Sequence, residues 1–180
     1  MIKPGEIQNK AREVDVRDQQ IEKDYILSWI LQGISQHEEL SKAIVFKGGT
    51  VLKKVYFKDY RFSEDLDYTL LNNDISNEQI FEWFGEVFEY ISEEANIPLE
   101  IIDNNKHQDG GINFYISYVG PLGGLGANKK VKIDISRSEA LVFEPVMNNV
   151  FLGYSDQEEH QLLCYSLEEV LVEKLRSVMQ

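Results

Sequence analysis

Two short segments constrain the fold more than any other part of the chain. Residues 65–71 (DLDYTLL) and 130–136 (KVKIDIS) alternate apolar and polar side chains with the period of two that belongs to extended strands. In the first, Leu66, Tyr68 and Leu70 take one side and Asp65, Asp67 and Thr69 the other. In the second, Val131, Ile133 and Ile135 oppose Lys132, Asp134 and Ser136. Strands patterned this way need a sheet with one dry face and one open face, and here the open face carries carboxylates. Asp65 and Asp67 project side by side, and two carboxylates that close repel unless a cation or a proton lies between them. With the strands as neighbours, Asp134 joins the pair. Three hard oxygen donors of this kind suit Mg²⁺ or Mn²⁺, whose octahedra are completed by substrate phosphate oxygens.

The remaining pattern supplies helices to cover the dry face. Residues 18–36 place Ile21, Tyr25, Leu27, Ile30, Leu31 and Ile34 at helical spacing, and residues 77–95 do the same with Ile80, Phe81, Phe84, Val87, Phe88, Ile91 and Ala95. Residues 97–103 and 112–119 read as further strands, and 140–152 and 161–165 as shorter strands or extended segments. A last helix is expected from Ser166, with Glu169 three residues on in a capping-box pattern. The mixture predicts an α+β fold, a small mixed β-sheet flanked by helices. Residues 1–165 form its main domain, and 166–180 begin a C-terminal helical region that stops without a helix-terminating signal.

Charge is distributed unevenly. The 180 residues carry 18 Lys and Arg against 31 Asp and Glu, a formal net charge of −13, which argues against a chain that simply coats nucleic acid. Yet residues 42–61 hold six cations and one acid, Asp59, while residues 78–103 hold eight acids and no Lys or Arg. An acidic chain can therefore still present a basic site to phosphate. The N-terminus lacks the apolar core of a signal peptide and the chain has one cysteine, Cys164, so a cytoplasmic location is expected. The scattered His37, His107 and His160 lack metal-ligand spacing and read as surface residues.

Upstream of the acids, Gly48-Gly49-Thr50 lies between an apolar step, 43–46, and a short helix expected to reach Phe57. Free backbone N–H groups and a hydroxyl at such a turn can hold phosphate; alone, the triplet is more often a tight turn. Taken together, Lys47-Gly48-Gly49-Thr50, Arg61-Phe62-Ser63-Glu64-Asp65-Leu66-Asp67, Lys132-Ile133-Asp134-Ile135 and Glu173-Lys174-Leu175-Arg176 resemble the AbiEii/AbiGii-type nucleotidyltransferase toxins of the DNA polymerase β-like superfamily. Glu22-Lys23-Asp24-Tyr25 resembles that family's opening helix.

The resemblance implies a nucleotidyltransferase fold and transfer of an NMP from an NTP to a hydroxyl acceptor, with tRNA as acceptor. It implies metal held by Asp65, Asp67 and Asp134, with Asp134 assisting deprotonation of the acceptor. It also implies nucleotide binding by Gly48, Gly49 and Thr50, with Lys47, Arg61 and Ser63 beside them. The biological role implied is the toxin of a toxin–antitoxin or phage-defence pair, with an antitoxin protein as partner. On a helical wheel Lys174 falls within the apolar stripe Leu167, Val170, Leu171, Leu175 and Val178, so it is expected to reach into the site. The acidic face of the 77–95 helix, including Glu82 and Glu86, reads as a solvated face or as a dock for a basic antitoxin. A contrasting reading is a non-catalytic remnant that binds a nucleotide or a partner without turnover.

Overall fold

The computed structural model describes residues 1–106, 110–124, 129–137 and 139–179. Helices α1 (Pro4–Glu13), α2 (Asp18–Gln36) and α3 (Glu38–Ala43) precede strand β1 (Ile44–Lys47). A helical stretch follows, α4 (Gly48–Val51), which widens into a π-turn over Leu52–Tyr56, and then β2 (Asp65–Leu70). Helix α5 (Asn77–Ala95) leads into β3 (Leu99–Lys106), β4 (Ile112–Tyr118) and β5 (Lys130–Ser136). Strands β6 (Val146–Asn149) and β7 (Gln161–Cys164) and helix α6 (Leu167–Met179) complete the order. His107 and part of the glycine-rich stretch 120–128 lie outside the described residues.

The seven strands form one mixed sheet in the order β3-β4-β5-β2-β1-β7-β6. The two alternating segments are indeed neighbours: β2 pairs with β5 in parallel, and β1 lies antiparallel on the other side of β2. Their apolar sides are fully covered, with Leu66, Ile133 and Val131 at 0% exposure. On β4, Phe114 meets Phe81 and Phe84 of α5 edge-on, at ring-centroid distances of 5.4 and 5.1 Å. Helix α5 begins at a Ser76 cap, whose hydroxyl accepts from the Gln79 amide at 3.1 Å, and ends at Asn96 in the left-handed conformation. It crosses α2 at Gly33, where a Cβ would stand 2.9 Å from both Ile91 and Val87.

Two helices were not expected from periodicity. Helix α1 offers only Ile7 and Ala11 as fully buried residues, too few for a stripe, and α3 is a single short turn. Among the histidines read as surface residues, His160 is buried and donates through Nδ1 to the Glu158 carbonyl at 2.8 Å. The His37 ring is likewise largely covered, between Glu39 and Glu86. No helix among the described residues is long and apolar enough to cross a membrane.

Every residue of Glu22-Lys23-Asp24-Tyr25 ties α2 to another part of the fold. Glu22 is fully buried and accepts from the Leu122 amide and Lys129, so it anchors the β4–β5 connection. Lys23 reaches Glu64, at 2.6 Å, just before β2. Asp24 pairs with Lys54 of the π-turn at 2.8 Å, and the Tyr25 hydroxyl donates to Asp156 at 2.7 Å. The segment assembles the fold around the sheet; buried carboxylates require such partners.

Candidate active site

Strand register places the acids. Asp67 on β2 stands directly opposite Asp134 on the parallel neighbour β5, and opposite Lys47 on β1. Asp65, exposed at the start of β2, is opposite Lys132. The acids thus divide into a facing pair and a third at the rim. Lys132, on the same side of β5, donates to Asp134 at 2.9 Å. Among the described residues no cation contacts Asp67 directly, and burial together with the Asp134 charge raises its pKa to about 6.

Among the described residues, no group of three or more His, Cys, Asp or Glu side chains is gathered so as to hold a metal ion. The chemistry of the donors nevertheless fits a hard divalent cation. Two facing carboxylates that resist joint ionisation gain from a positive charge between them, and Mg²⁺ commonly takes one or two carboxylates and fills its other positions from substrate phosphate and water.

The glycine turn abuts this pair. Gly48 has φ +75°, and a Cβ there would sit 2.2 Å from Asp67 Oδ2, so only glycine fits on both counts. At Gly49 a Cβ would find Ser63 Oγ at 3.5 Å and Arg61 Nη2 at 3.9 Å. The sequence-separated Gly49, Arg61 and Ser63 therefore gather beside the acids, with Arg61 exposed and without a carboxylate partner among the described residues. Thr50 behaves differently from a phosphate-binding hydroxyl. It is 1% exposed and its Oγ1 donates to the Asp65 carbonyl at 2.5 Å, fixing the turn to β2.

Lys47 is likewise turned inward. Its Nζ lies 2.7 and 2.6 Å from the two oxygens of Glu139 and 2.9 Å from Glu173. Glu139 Oε2 also accepts from the hydroxyls of Thr69, at 2.6 Å, and Tyr165, at 2.8 Å. Burial works against the Lys47 charge, but the hydrogen bonds to Glu139 and Glu173 outweigh it and hold its pKa above the ordinary lysine value. Burial also opposes ionisation of Glu139, and the Lys47 and Thr69 hydrogen bonds outweigh it there. The network secures the segment after β5 and helix α6 to the sheet beside Asp67. Glu139 and Tyr165 gave no signal in the sequence, and Thr69 and Glu173 stood out only as an open-face strand residue and as part of a motif, because their partners come from distant segments.

Helix α6 turns a different face inward from the one its wheel suggests. Glu169 and Val170 are buried, and Glu173 points to Lys47. Leu167, Leu171 and Leu175 are 39%, 58% and 55% exposed, and Lys174 is exposed with them. The side chain of Val178 lies outside the described residues. The physical reason is polar anchoring: Glu169 accepts from the amides of Val142 and Phe143, both at 2.8 Å, and with the Lys47 bond this fixes the helix rotation. Cys164, by contrast, is buried as its apolar run suggests, with burial pushing its thiol up to about 12.

The family described as nucleotidyl transferase AbiEii toxin, type IV toxin–antitoxin system, matches residues 29–180. No curated protein sequence matches the chain. Among solved structures it is similar to JHP933 from Helicobacter pylori, with a TM-score of 0.56 and 19% identity, over 88% of this chain and 57% of that one. It is also similar to an H. pylori protein crystallised as a candidate nucleotidyltransferase, with a TM-score of 0.57 and 19% identity, over 89% of this chain and 59% of that one. The chain thus spans less than two thirds of the length of these two structures, and at such identity the likeness concerns the fold.

Proposed function

The chain belongs to the AbiEii nucleotidyltransferase toxin family, and on that premise we propose that it transfers an NMP from an NTP to a hydroxyl acceptor, with tRNA as the acceptor. The observation that carries this reading is the register that sets Asp67 opposite Asp134, with the Gly48 turn pressed against the Asp67 carboxylate. Acids alone would equally serve phosphodiester hydrolysis. The adjoining turn, with Arg61 and Ser63 gathered at Gly49, favours a substrate that brings its own chain of phosphates.

In the reaction, the acceptor oxygen forms a bond to the α-phosphorus while the bond to the bridging oxygen breaks and pyrophosphate leaves. Asp134, which accepts a hydrogen bond from Lys132, takes the acceptor's proton. The backbone of Gly48 and Gly49, with Arg61 and Ser63, orients the departing phosphates for in-line displacement. Lys174, exposed on α6, meets the triphosphate from that side. Thr50 and Lys47 act on position alone, the first by fixing the turn and the second by fixing β1 to Glu139 and Glu173. Asp67 and Asp134, with Asp65 beside them at the rim, would hold a divalent cation, Mg²⁺ or Mn²⁺, whose charge would polarise the phosphoryl oxygens. The biological role proposed is that of the toxin in a pair with an antitoxin protein.

The test is transfer of labelled nucleotide from each NTP to total tRNA in the presence of Mg²⁺. Label is expected on RNA with the parent chain and at least about 10³-fold less with Asp67→Ala. Transfer that survives Asp67→Ala would overturn the assignment. A folded parent chain that labels no RNA with any NTP would favour the non-catalytic, partner-binding reading.

A further inference from the structure

Behind the glycine turn, between α1, the π-turn, the 57–62 connection and residues 151–153, lies a cavity of about 460 Å³. Its walls carry five cations and two carboxylates in a chain whose formal net charge is −13. One of the five, Lys54, is matched by Asp24. Lys10, Lys53, Lys58 and Arg61 have no carboxylate partner among the described residues, and the second acid, Asp59, pairs with none of them. In an acidic protein, where acids outnumber bases, four cations left without counter-charge around one cavity call for an anion from outside.

Aromatic surface is interleaved with that charge. Lys53 Nζ lies 4.5 Å from the centre of the Phe62 ring, and Lys58 Nζ lies 5.2 Å from that of Phe151. The cations are thus held against ring faces, a mode that leaves their charge available to a ligand while the rings supply an apolar wall. The volume falls within the range of small-molecule sites and suits one planar base with its phosphate. Stacking on aromatic and aliphatic surface together with cationic contacts is the recurring chemistry of nucleotide-unit recognition.

We propose that this cavity is a second nucleotide-binding site, which takes one nucleoside phosphate unit by packing its base along the apolar wall at Phe62 and Phe151 and neutralising its phosphate with Lys53, Lys58 and Arg61. The site shares only Arg61 with the transfer centre and uses none of the acids, so it binds without metal. It stands apart from the proposed transfer reaction, since binding there requires no turnover. The same chemistry is presented by a free nucleoside monophosphate and by the end of a single-stranded oligonucleotide.

The experiment is equilibrium binding of labelled AMP, CMP, GMP and UMP, and of a single-stranded RNA tetranucleotide, to the chain carrying Asp65→Asn and Asp67→Asn, in EDTA. At least one probe is expected to bind, to weaken with added salt, and to lose about tenfold or more in affinity in Lys58→Glu. Lys58 is exposed, so this variant leaves the core intact; Phe151→Ala is expected to weaken the same probe without changing the salt dependence. Tighter binding of a monophosphate identifies a free effector, and tighter binding of the tetranucleotide identifies an RNA end; both support the site. Absence of binding by every probe, or binding unchanged in Lys58→Glu, would overturn it. Because the acids are already removed, loss of transfer in the parent chain and loss of this binding are separate results.

Discussion

Two lysines on either side of the same helical stretch are almost equally buried, and their surroundings treat them in opposite ways. Lys47, at the end of β1, is 5% exposed, and Lys54, in the π-turn, is 4% exposed. Lys47 meets two carboxylates, Glu139 and Glu173, which are about one third exposed and remain partly hydrated. Lys54 meets one carboxylate, Asp24, whose side chain is 6% exposed, with Ser28 Oγ at 2.6 Å. The Lys47 pKa is raised, whereas at Lys54 burial outweighs the Asp24 charge and lowers it. The number and hydration of the opposing charges decide whether a buried cation is favoured; depth alone does not.

The contrast is most sharply tested at Lys54. Lys54→Met leaves Asp24 buried with the Tyr154 hydroxyl at 2.8 Å as its main support. It is expected to cost about 3–5 kcal/mol in urea denaturation. Adding Asp24→Leu should return most of that loss, since an apolar pair of similar volume is often neutral. A single-variant loss below about 1 kcal/mol would show that water reaches the pair and that the two lysines are alike. Lys47→Met is expected to cost less, about 1–3 kcal/mol, because Glu139 and Glu173 can turn to solvent. Equal costs at the two sites would break the comparison.

The smallest effect is expected at Glu139 and is read in acid. Its folded-state pKa is held below the ordinary glutamate value, so the unfolded chain binds the proton first as pH falls. The stability it contributes is present above the unfolded value, about 4.3, and is lost as pH drops through the folded one. Glu139→Gln should therefore flatten part of the decline in denaturation midpoint below about pH 4.5 while leaving the midpoint at neutral pH lower by a modest amount. An acid limb unchanged by the substitution would detach Glu139 from Lys47.

These lysines also mark where sequence reading stops. The period-two pattern at 65–71 and 130–136 located the paired strands, because alternation is a local property that survives into the sheet. The same logic gave the face of Asp65, Asp67 and Asp134. Nothing local announced that Lys47 would be neutralised by Glu139 and Glu173, or that Thr50 would bond the Asp65 carbonyl. At α6 the wheel identified the apolar stripe correctly as a stripe and misjudged its surroundings. Periodicity states which residues share a face, and polar anchors such as Glu169 decide which face turns inward. The Glu22-Lys23-Asp24-Tyr25 segment stood out as a motif, yet its structural role appears only when Leu122, Glu64, Lys54 and Asp156 come into view.

The parallel pairing of β2 with β5 has a kinetic meaning. Asp67 and Asp134 are separated along the chain by helix α5 and strands β3 and β4, so they meet only when that long excursion closes. Closure of this kind is entropically slow, and here its last approach also presses like charges together. The carboxylate pair is therefore a cost of closing the sheet before it is a tool. Salt screens the two charges while they are still hydrated and approaching, and much less once the sheet has buried them, so the ionic surroundings act on the pair before it is formed rather than after.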